Sequence, residues 1–265
     1  GNGGRIETSG HWLDLEGVRG GAAANNGDSG TWLLDPYNVE ITTYDQTVSQ
    51  SGRTYTPSGD SSKINVSTVN SLLSGGTNVT ITTGSSGSNE LGDIMVTSNI
   101  QKSGSGTATL RLQAANSIIV NGSISHDTGA GVTGKLNVEL DADNNMGSRD
   151  GGGIVLLSNS ITTNGGYFRS GSSGASTGGD IYVGGGSTAI NLTTGGGQVD
   201  INGQVIIGNT SSTGFTITSG GGDINIARAI DSGNSYQYVA QTAGQGSWLQ
   251  AAQFAKNGTN GGSAT

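Results

Sequence analysis

Pairs of apolar residues two positions apart recur along most of the chain. Because successive side chains of a β-strand point to opposite faces, each pair places two apolar side chains on the same face. The polar segments between the pairs are too short for the helical crossovers of an α/β sheet, so the pattern predicts an all-β protein of short strands. The pairs are Val79 and Ile81, Ile94 and Val96, Leu110 and Leu112, Ile118 and Val120, Leu136 and Val138, Ile154 and Leu156, Ile181 and Val183, Ile190 and Leu192, Val199 and Ile201, Val205 and Ile207, Phe215 and Ile217, and Ile224 and Ile226.

A loose sequence theme accompanies these pairs. Gly-Gly-Asp-Ile-Tyr-Val at 178–183 returns as Gly-Gly-Gln-Val-Asp-Ile at 196–201 and as Gly-Gly-Asp-Ile-Asn-Ile at 221–226. A unit of strand, bend and strand is too small to bury its own apolar face, so the units must stack as a solenoid. The sequence therefore predicts an all-β, right-handed parallel β-helix with loop excursions. With about 20 residues and about 4.8 Å per coil, the predicted rod is on the order of 60 Å long.

Changes in this pattern divide the chain into four segments. Residues 1–42 hold a Trp-containing start of the β-helix, 43–62 form a loop excursion, 63–235 hold the β-helix repeats, and 236–265 form a C-terminal segment. Further loops are predicted at 84–91, 141–152 and 167–179. In the C-terminal segment, Ser247 followed by Gln250 resembles a capping box, which favours a short helix or a linker there.

Composition and charge narrow the classes of function. The chain of 265 residues has 50 Gly, 2 Pro and no Cys, and its formal net charge is −8. An acidic chain lacks the Lys and Arg needed to neutralise phosphates, which argues against nucleic acid as a partner. No stretch approaches the roughly 20 apolar residues of a membrane helix, so no membrane insertion is expected. No cofactor is expected either.

Two motifs near the start of the chain carry a family resemblance. The first is Gly-Gly-Arg-Ile-Glu-Thr-Ser-Gly-His at 3–11, and the second is Trp-Leu-Leu-Asp-Pro-Tyr-Asn-Val at 32–39. In sequence and order they resemble the high-molecular-weight adhesins and filamentous-haemagglutinin-like exoproteins of bacterial two-partner secretion systems. The resemblance implies a β-helical stalk secreted to the bacterial surface through an outer-membrane partner. It also implies attachment to host cells, glycans or other bacteria.

Aromatic residues in the polar segments are the candidate receptor contacts, because aromatic rings stack on sugars and anchor interfaces. They are Tyr37, Tyr44, Tyr55, Tyr167 and Phe168, and their alternative role is to fill the corners of the rod. Trp12 and Trp32 are instead expected to pack at a junction within the β-helix. Glycosylation, which only the family resemblance implies, has its candidates at the sequons. These begin at Asn65, Asn78, Asn121, Asn191, Asn209 and Asn257.

Catalytic groups are few. His11 and His126 are the two histidines, and there is no thiol. Ser125, His126 and Asp127 are adjacent, so on a strand they point to opposite faces and cannot form a proton relay. The sequence therefore predicts that the protein is not an enzyme.

The acidic stretch at 141–152 leaves two alternatives open. Asp141, Asp143 and Asn145 begin like a calcium loop, although the twelfth position is Gly152 where such loops have Glu. Together with Asp150, the two aspartates are also the candidate carboxylates of a polysaccharide-cleaving β-helix enzyme. Three hypotheses follow: an adhesive segment, a passive stalk that spaces other parts of a large exoprotein, and, as the third choice, such an enzyme.

Overall fold

A computed structural model of the chain consists almost entirely of short strands. It describes the side chains of residues 1–44 and 61–228 with interruptions, and only the backbone of the strands at 48–57 and beyond 229. The residues outside the description are 11–12, 14, 16–17, 19, 25, 45–47, 52–53, 58–60, 85–90, 130, 144–152, 172–178, 185–188, 209–213, 229, 232–238, 243–248, 252–253 and 256–265.

The elements follow one another with short connections. The first part of the chain contains β1 (Arg5–Ser9), β2 (Thr31–Asp35), β3 (Val39–Thr42), β4 (Val48–Ser51), β5 (Thr54–Pro57), β6 (Ser62–Asn65), α1 (Val66–Ser74), β7 (Asn78–Thr82), β8 (Ile94–Val96), β9 (Ile100–Lys102), β10 (Thr107–Gln113), β11 (Ile118–Val120), β12 (Ile124–His126) and β13 (Lys135–Asp141). The second part contains β14 (Val155–Leu157), β15 (Ile161–Thr162), β16 (Phe168–Ser170), β17 (Ile181–Val183), β18 (Ile190–Thr193), β19 (Val199–Ile201), β20 (Val205–Ile207), β21 (Phe215–Thr218), β22 (Ile224–Ile226), β23 (Ile230–Asp231), β24 (Val239–Thr242), β25 (Leu249–Ala251) and β26 (Phe254–Ala255).

Three parallel sheets form the walls of a solenoid, which confirms the predicted parallel β-helix. Sheet A has nine strands in the order β1-β2-β7-β10-β13-β16-β19-β22-β25. Sheet B has nine in the order β6-β3-β8-β11-β14-β17-β20-β23-β26, and sheet C has six in the order β9-β12-β15-β18-β21-β24. The chain passes from A to B to C and then begins the next coil. A separate antiparallel hairpin, β4 and β5, lies within the predicted loop excursion at 43–62.

Each coil is longer than the sequence predicted. Val199, Ile224 and Leu249 are aligned in sheet A, so successive coils here repeat every 25 residues. The theme of strand, bend and strand covers only two of the three strands of a coil, in sheets A and B at 199–207 and in sheets B and C at 181–193, and the third strand completes the coil. Fewer coils fit in the chain as a result, and the nine strands of sheet A span about 40 Å where about 60 Å was predicted.

The predicted apolar pairs point into the solenoid with one exception. Ile118 and Val120 of β11 are fully buried, as are Ile181 and Val183 of β17. In β14, however, the buried residues are Val155 and Leu157, so the predicted pair Ile154 and Leu156 is wrong. The run Ile-Val-Leu-Leu at 154–157 places apolar side chains on both faces of the strand. Only the register with the neighbouring strands decides which residues face inward.

A repeated turn closes the corner between sheets C and A. Thr194 is fully buried, and its hydroxyl donates to the carbonyl of Gly197, three residues later, at 2.5 Å. Gly195 and Gly196, which lie between these two residues, have φ of 63° and 117°. Residues with a side chain rarely adopt this backbone conformation. The turn that begins at Thr163 makes the same bond in the preceding coil. Glycine occurs at these corners because this turn requires a positive φ.

The helix α1 was not predicted. Its Val66, Val69, Leu72 and Leu73 are buried, and it contacts the outermost strand of sheet C, β9. The side chain of Asn70 accepts a hydrogen bond from the backbone N–H of Gln101, which would otherwise belong to an open sheet edge. The short helix therefore caps sheet C.

The C-terminal segment forms strands where a short helix or a linker was expected. β25 pairs with β22, and β26 pairs with β23, so both continue the parallel sheets. The capping-box residue Ser247 lies outside the described residues. A helix this short is unstable alone, and pairing with an existing sheet edge stabilises the strand conformation instead.

The described residues of the Trp-containing segment contribute to the packing of the β-helix. Trp32 is almost fully buried in sheet A, and its Nε1 donates to the hydroxyl of Thr8 at 3.0 Å. Asp35 and Pro36 lie where the chain turns from β2 to β3. Trp12 lies outside the described residues.

Candidate functional site

The five aromatic candidates occupy different environments. Tyr44 is 71% exposed, Tyr37 is half-buried beside Gly84, and Tyr167 is partly exposed on sheet A. The side chain of Tyr55 lies outside the described residues. The prediction for Phe168 is wrong, because its ring is fully buried between Val138 and Val199 in the register of sheet A.

The error at Phe168 arose from the loop predicted at 167–179. Residues Phe168–Ser170 form β16, so the chain alternates there as a strand. Tyr167 precedes the strand and lies outside, whereas Phe168 points inward. An inward aromatic side chain cannot contact a receptor.

Tyr167 lies beside a row of charged side chains on the outer face of sheet A. Arg111, Glu139, Arg169 and Asp200 occupy consecutive strands in direct register. Positive and negative charges alternate from one strand to the next, which stabilises the row because cross-strand neighbours have opposite charge. We call these four residues the ion-pair row.

Glu139 is the centre of the row. One carboxylate oxygen accepts a hydrogen bond from Nε of Arg111, and the other accepts one from the hydroxyl of Tyr167. The guanidinium of Arg169 lies over the Tyr167 ring, 5.5 Å from its centroid, as a cation–π contact. Glu139, 28 positions earlier in the chain, and Arg169, two positions later, therefore hold the tyrosine in place.

These contacts fix the protonation states of the cluster. Burial alone would raise the pKa of Glu139, but the hydrogen bonds from Arg111 and Tyr167 outweigh it and lower the pKa. Burial, together with the hydrogen bond to Glu139, raises the pKa of Tyr167 to about 12. At neutral pH the carboxylate is ionised and the phenol is protonated. The pair is suited to hydrogen bonding and poorly suited to proton transfer.

A shallow cleft of about 240 Å³ adjoins the row. The side chains of Arg111 and Arg169 are 45% and 41% exposed at its sides. Hydrogen-bond donors and acceptors therefore converge on one concave surface beside an aromatic ring. The cleft is lined by Arg111, Gln113, Glu139, Leu140, Asp141, Arg169 and Gly171.

Sequence reasoning missed the ion-pair row because its members are 28 to 31 residues apart. Each arginine or acid is an ordinary outward residue in its own strand. A repeat alignment based on the Gly-Gly theme would have brought Arg169 and Asp200 together. It would have failed for Arg111 and Glu139, whose strands lack the theme.

The acidic stretch at 141–152 is only partly described. Asp141 is the last residue of β13, and both Asp141 and Asp143 are buried, whereas an open loop was expected. Asn145 and Asp150 lie outside the described residues. Within the described part of the chain, no three His, Cys, Asp or Glu side chains come together as a metal site.

The four described sequons differ in accessibility. The side chain of Asn65 caps α1, and that of Asn78 bonds to the backbone at Ser29 and Thr109. Asn121 and Asn191 are exposed on the outer surface. Asn209 and Asn257 lie outside the described residues. Glycosylation stays a prediction, and the exposed pair are its best candidates.

A buried cation lies apart from the ion-pair row. Lys102 is fully buried, and its amine donates to the carbonyl of Ser103 at 3.1 Å and lies 3.2 Å from Nε2 of His126. Nδ1 of His126 lies 2.7 Å from the carbonyl of Asp127. A neutral imidazole that donates from Nδ1 and accepts at Nε2 satisfies every one of these contacts.

Replacing Lys102 should change how stability depends on pH. Burial lowers the pKa of Lys102, and the nearby Asp127 only partly opposes this effect. Between the lowered pKa and the ordinary value of about 10.4, the unfolded chain binds more protons than the folded chain, so stability rises with pH. We expect Lys102→Met to flatten this rise in the free energy of unfolding, measured in urea from neutral pH to alkaline pH.

The exposed Lys135→Met is the matched control and should keep the pH dependence of the wild type. The free energy of unfolding of the wild type should rise with pH more steeply than that of Lys102→Met. If it does not, the folded state does not disfavour the charged amine of Lys102.

No protein-family model and no curated protein sequence matches this chain. No helix in the described residues is long and apolar enough to span a membrane. The parallel β-helix defines the structural class.

Proposed function

We propose that this chain is an adhesive segment of a secreted bacterial surface protein and that it attaches to a receptor, such as a glycan, on host cells or other bacteria. One observation carries the proposal. Tyr167 is held beside Arg111, Glu139 and Arg169 on the outer face of a rigid sheet, next to a cleft. Export through an outer-membrane partner rests on the family resemblance.

The charges of the cluster favour a neutral, hydroxyl-rich ligand. Two arginines and two acids line the cleft, so its formal charges cancel. Paired charges present directional donors and acceptors without a net field, and a tyrosine ring provides a surface for an apolar sugar face. The ionised Glu139 and protonated Tyr167 support binding in preference to catalysis.

A passive stalk is the second candidate. The three sheets continue in register along the described chain, which supports a stiff spacer as well as an adhesive surface. The two functions require the same core, and they differ only in whether the outer face binds a ligand.

Replacing Tyr167 should weaken binding without unfolding the protein. In binding to glycan arrays and host cells, with and without chelator, we expect Tyr167→Ala to bind about tenfold or more weakly than the wild type. Thr216→Ala, a polar outward residue on sheet C, is the control and should bind normally. Absence of binding by the folded wild type would favour the stalk, and sustained release of cleaved glycan would instead indicate an enzyme.

A further inference from the structure

An asparagine followed by a glycine is a chemically labile pair. The backbone nitrogen of the glycine attacks the side-chain carbonyl carbon of the asparagine, because the two groups are adjacent and the glycine has no Cβ to hinder the approach. The new C–N bond closes a succinimide ring, and the amide leaves as ammonia with the proton of the glycine N–H. Water then opens the ring at either carbonyl and yields aspartate or isoaspartate. Each conversion replaces a neutral amide with a carboxylate.

Two kinds of contact in a folded protein oppose this reaction. A hydrogen bond from the glycine N–H occupies the attacking nitrogen, and a hydrogen bond from the asparagine amide holds the side chain in place. A pair protected in this way reacts only when the surrounding structure opens locally. Five Asn-Gly pairs lie in the described part of the chain, at 2–3, 26–27, 121–122, 164–165 and 202–203.

In three of the pairs, the glycine N–H donates to a backbone carbonyl that is distant in the sequence. The bonds join Gly3 to Asp28 at 2.9 Å, Gly122 to Val96 at 2.8 Å, and Gly165 to Thr194. Two of these pairs are also held by the asparagine side chain. Nδ2 of Asn2 donates to the carboxylate of Asp28 at 3.0 Å, and Nδ2 of Asn164 donates to the carbonyl of Gly134 at 2.9 Å.

The pair at 202–203 is protected by its side chain and by burial. Nδ2 of Asn202 donates to the carbonyl of Gly171 in the preceding coil at 3.0 Å. Gly203 is buried, and a Cβ there would lie 2.2 Å from the carbonyl carbon of Gly179. Backbone atoms therefore pack closely around this glycine, and the Asn202 side chain must break its hydrogen bond before it turns toward Gly203.

The pair at 26–27 has neither kind of protection. Asn26 and Gly27 are both exposed in the connection between β1 and β2. Among the described residues, neither the Asn26 side chain nor the Gly27 N–H has a hydrogen-bond partner. Asp28, the next residue, is fixed to Asn2 by hydrogen bonds of 3.0 and 3.2 Å. The Asn26 side chain therefore reaches the Gly27 nitrogen by rotating about its own bonds, without opening the fold.

We infer that Asn26 is a site of spontaneous modification in the folded protein, where it is converted to aspartate and isoaspartate, and that the fold protects the other four pairs. The conversion changes the net charge of the chain from −8 to −9. It places the new carboxylate beside a cleft of about 760 Å³ that Gly27 and Asp28 line. Asp28 is already exposed there, so the modified chain carries two neighbouring negative charges at this cleft. The inference does not depend on the proposed adhesive function.

Peptide mapping by tandem mass spectrometry tests the inference during incubation of the full chain at mildly alkaline pH. The mass change from amide to acid measures the conversion of each pair. We expect Asn26 in the folded chain to convert about tenfold or more faster than each of the other four pairs. In concentrated urea, where no pair is protected, all five should convert at similar rates. Asn26→Gln should remove the early acidic form on isoelectric focusing.

Asn121 is the matched internal control. Its side chain is exposed like that of Asn26, and the two pairs differ in the hydrogen bond from Gly122 to Val96. If Asn26 converts no faster than Asn121 in the folded chain, the inference is wrong. Conversion of Asn26 that is much slower in the folded chain than in urea would overturn it as well, because the folded connection would then hold this pair in an unreactive geometry.

Discussion

Gly197→Ala should be among the most destabilising single substitutions in this chain. A Cβ at position 197 would lie 1.9 Å from the carbonyl oxygen of Gly166 in the neighbouring coil and 2.3 Å from its carbon. Both atoms belong to the backbone, so the clash cannot be relieved by rotating a side chain. We expect a loss of about 3 kcal/mol in the free energy of unfolding, measured by urea denaturation.

Gly214→Ala is the matched control. A Cβ there would meet only the Cβ of Ala189 at 3.8 Å, which is an ordinary contact, and φ is not in the left-handed region. Its stability should remain within about 0.5 kcal/mol of the wild type. Equal stability of the two variants would show that the coils are not packed as closely at Gly197 as the structure indicates.

Phe168→Ala should cause a loss of similar size for a different reason. The ring is 0% exposed and fills the interior beneath sheet A. Removing a buried phenylalanine side chain costs about 3 to 5 kcal/mol, because the surrounding structure closes the cavity only in part. Thermal and urea denaturation should both show the loss, and Phe168→Leu should recover most of the stability.

Tyr44→Ala gives the contrast, since Tyr44 is 71% exposed and its replacement should leave stability nearly unchanged. Receptor binding separates the two roles of Phe168. If Phe168→Ala kept full stability and yet lost binding, the ring would be a surface contact, as the sequence first suggested. The buried position predicts the reverse: any binding that is lost follows the loss of the fold.

The comparison between Phe168 and Tyr167 shows the limit of sequence reasoning about this surface. Both residues lie in a polar segment that was predicted to be a loop, and both are aromatic. Only strand pairing assigns them to opposite sides of sheet A. Of these two residues, Tyr167 remains a candidate contact, and the residues that hold it were not predicted.

The amino-acid sequence by itself determined the class of fold and most of its interior. Alternation with a period of two is a local property of a strand, so the apolar pairs predicted the inward faces wherever the flanking residues were polar. Short polar connections excluded helical crossovers, and units too small to bury their own faces required stacking. None of these conclusions needed a contact between distant residues.

The tertiary structure decided everything that depends on which coils are neighbours. The inward parity of β14, the cap that α1 forms on sheet C and the strands at 249–255 all follow from pairing with distant strands. The ion-pair row has the same origin, because it joins residues about one coil apart. Coil lengths vary with the loops, and no local pattern in the sequence encodes the resulting register.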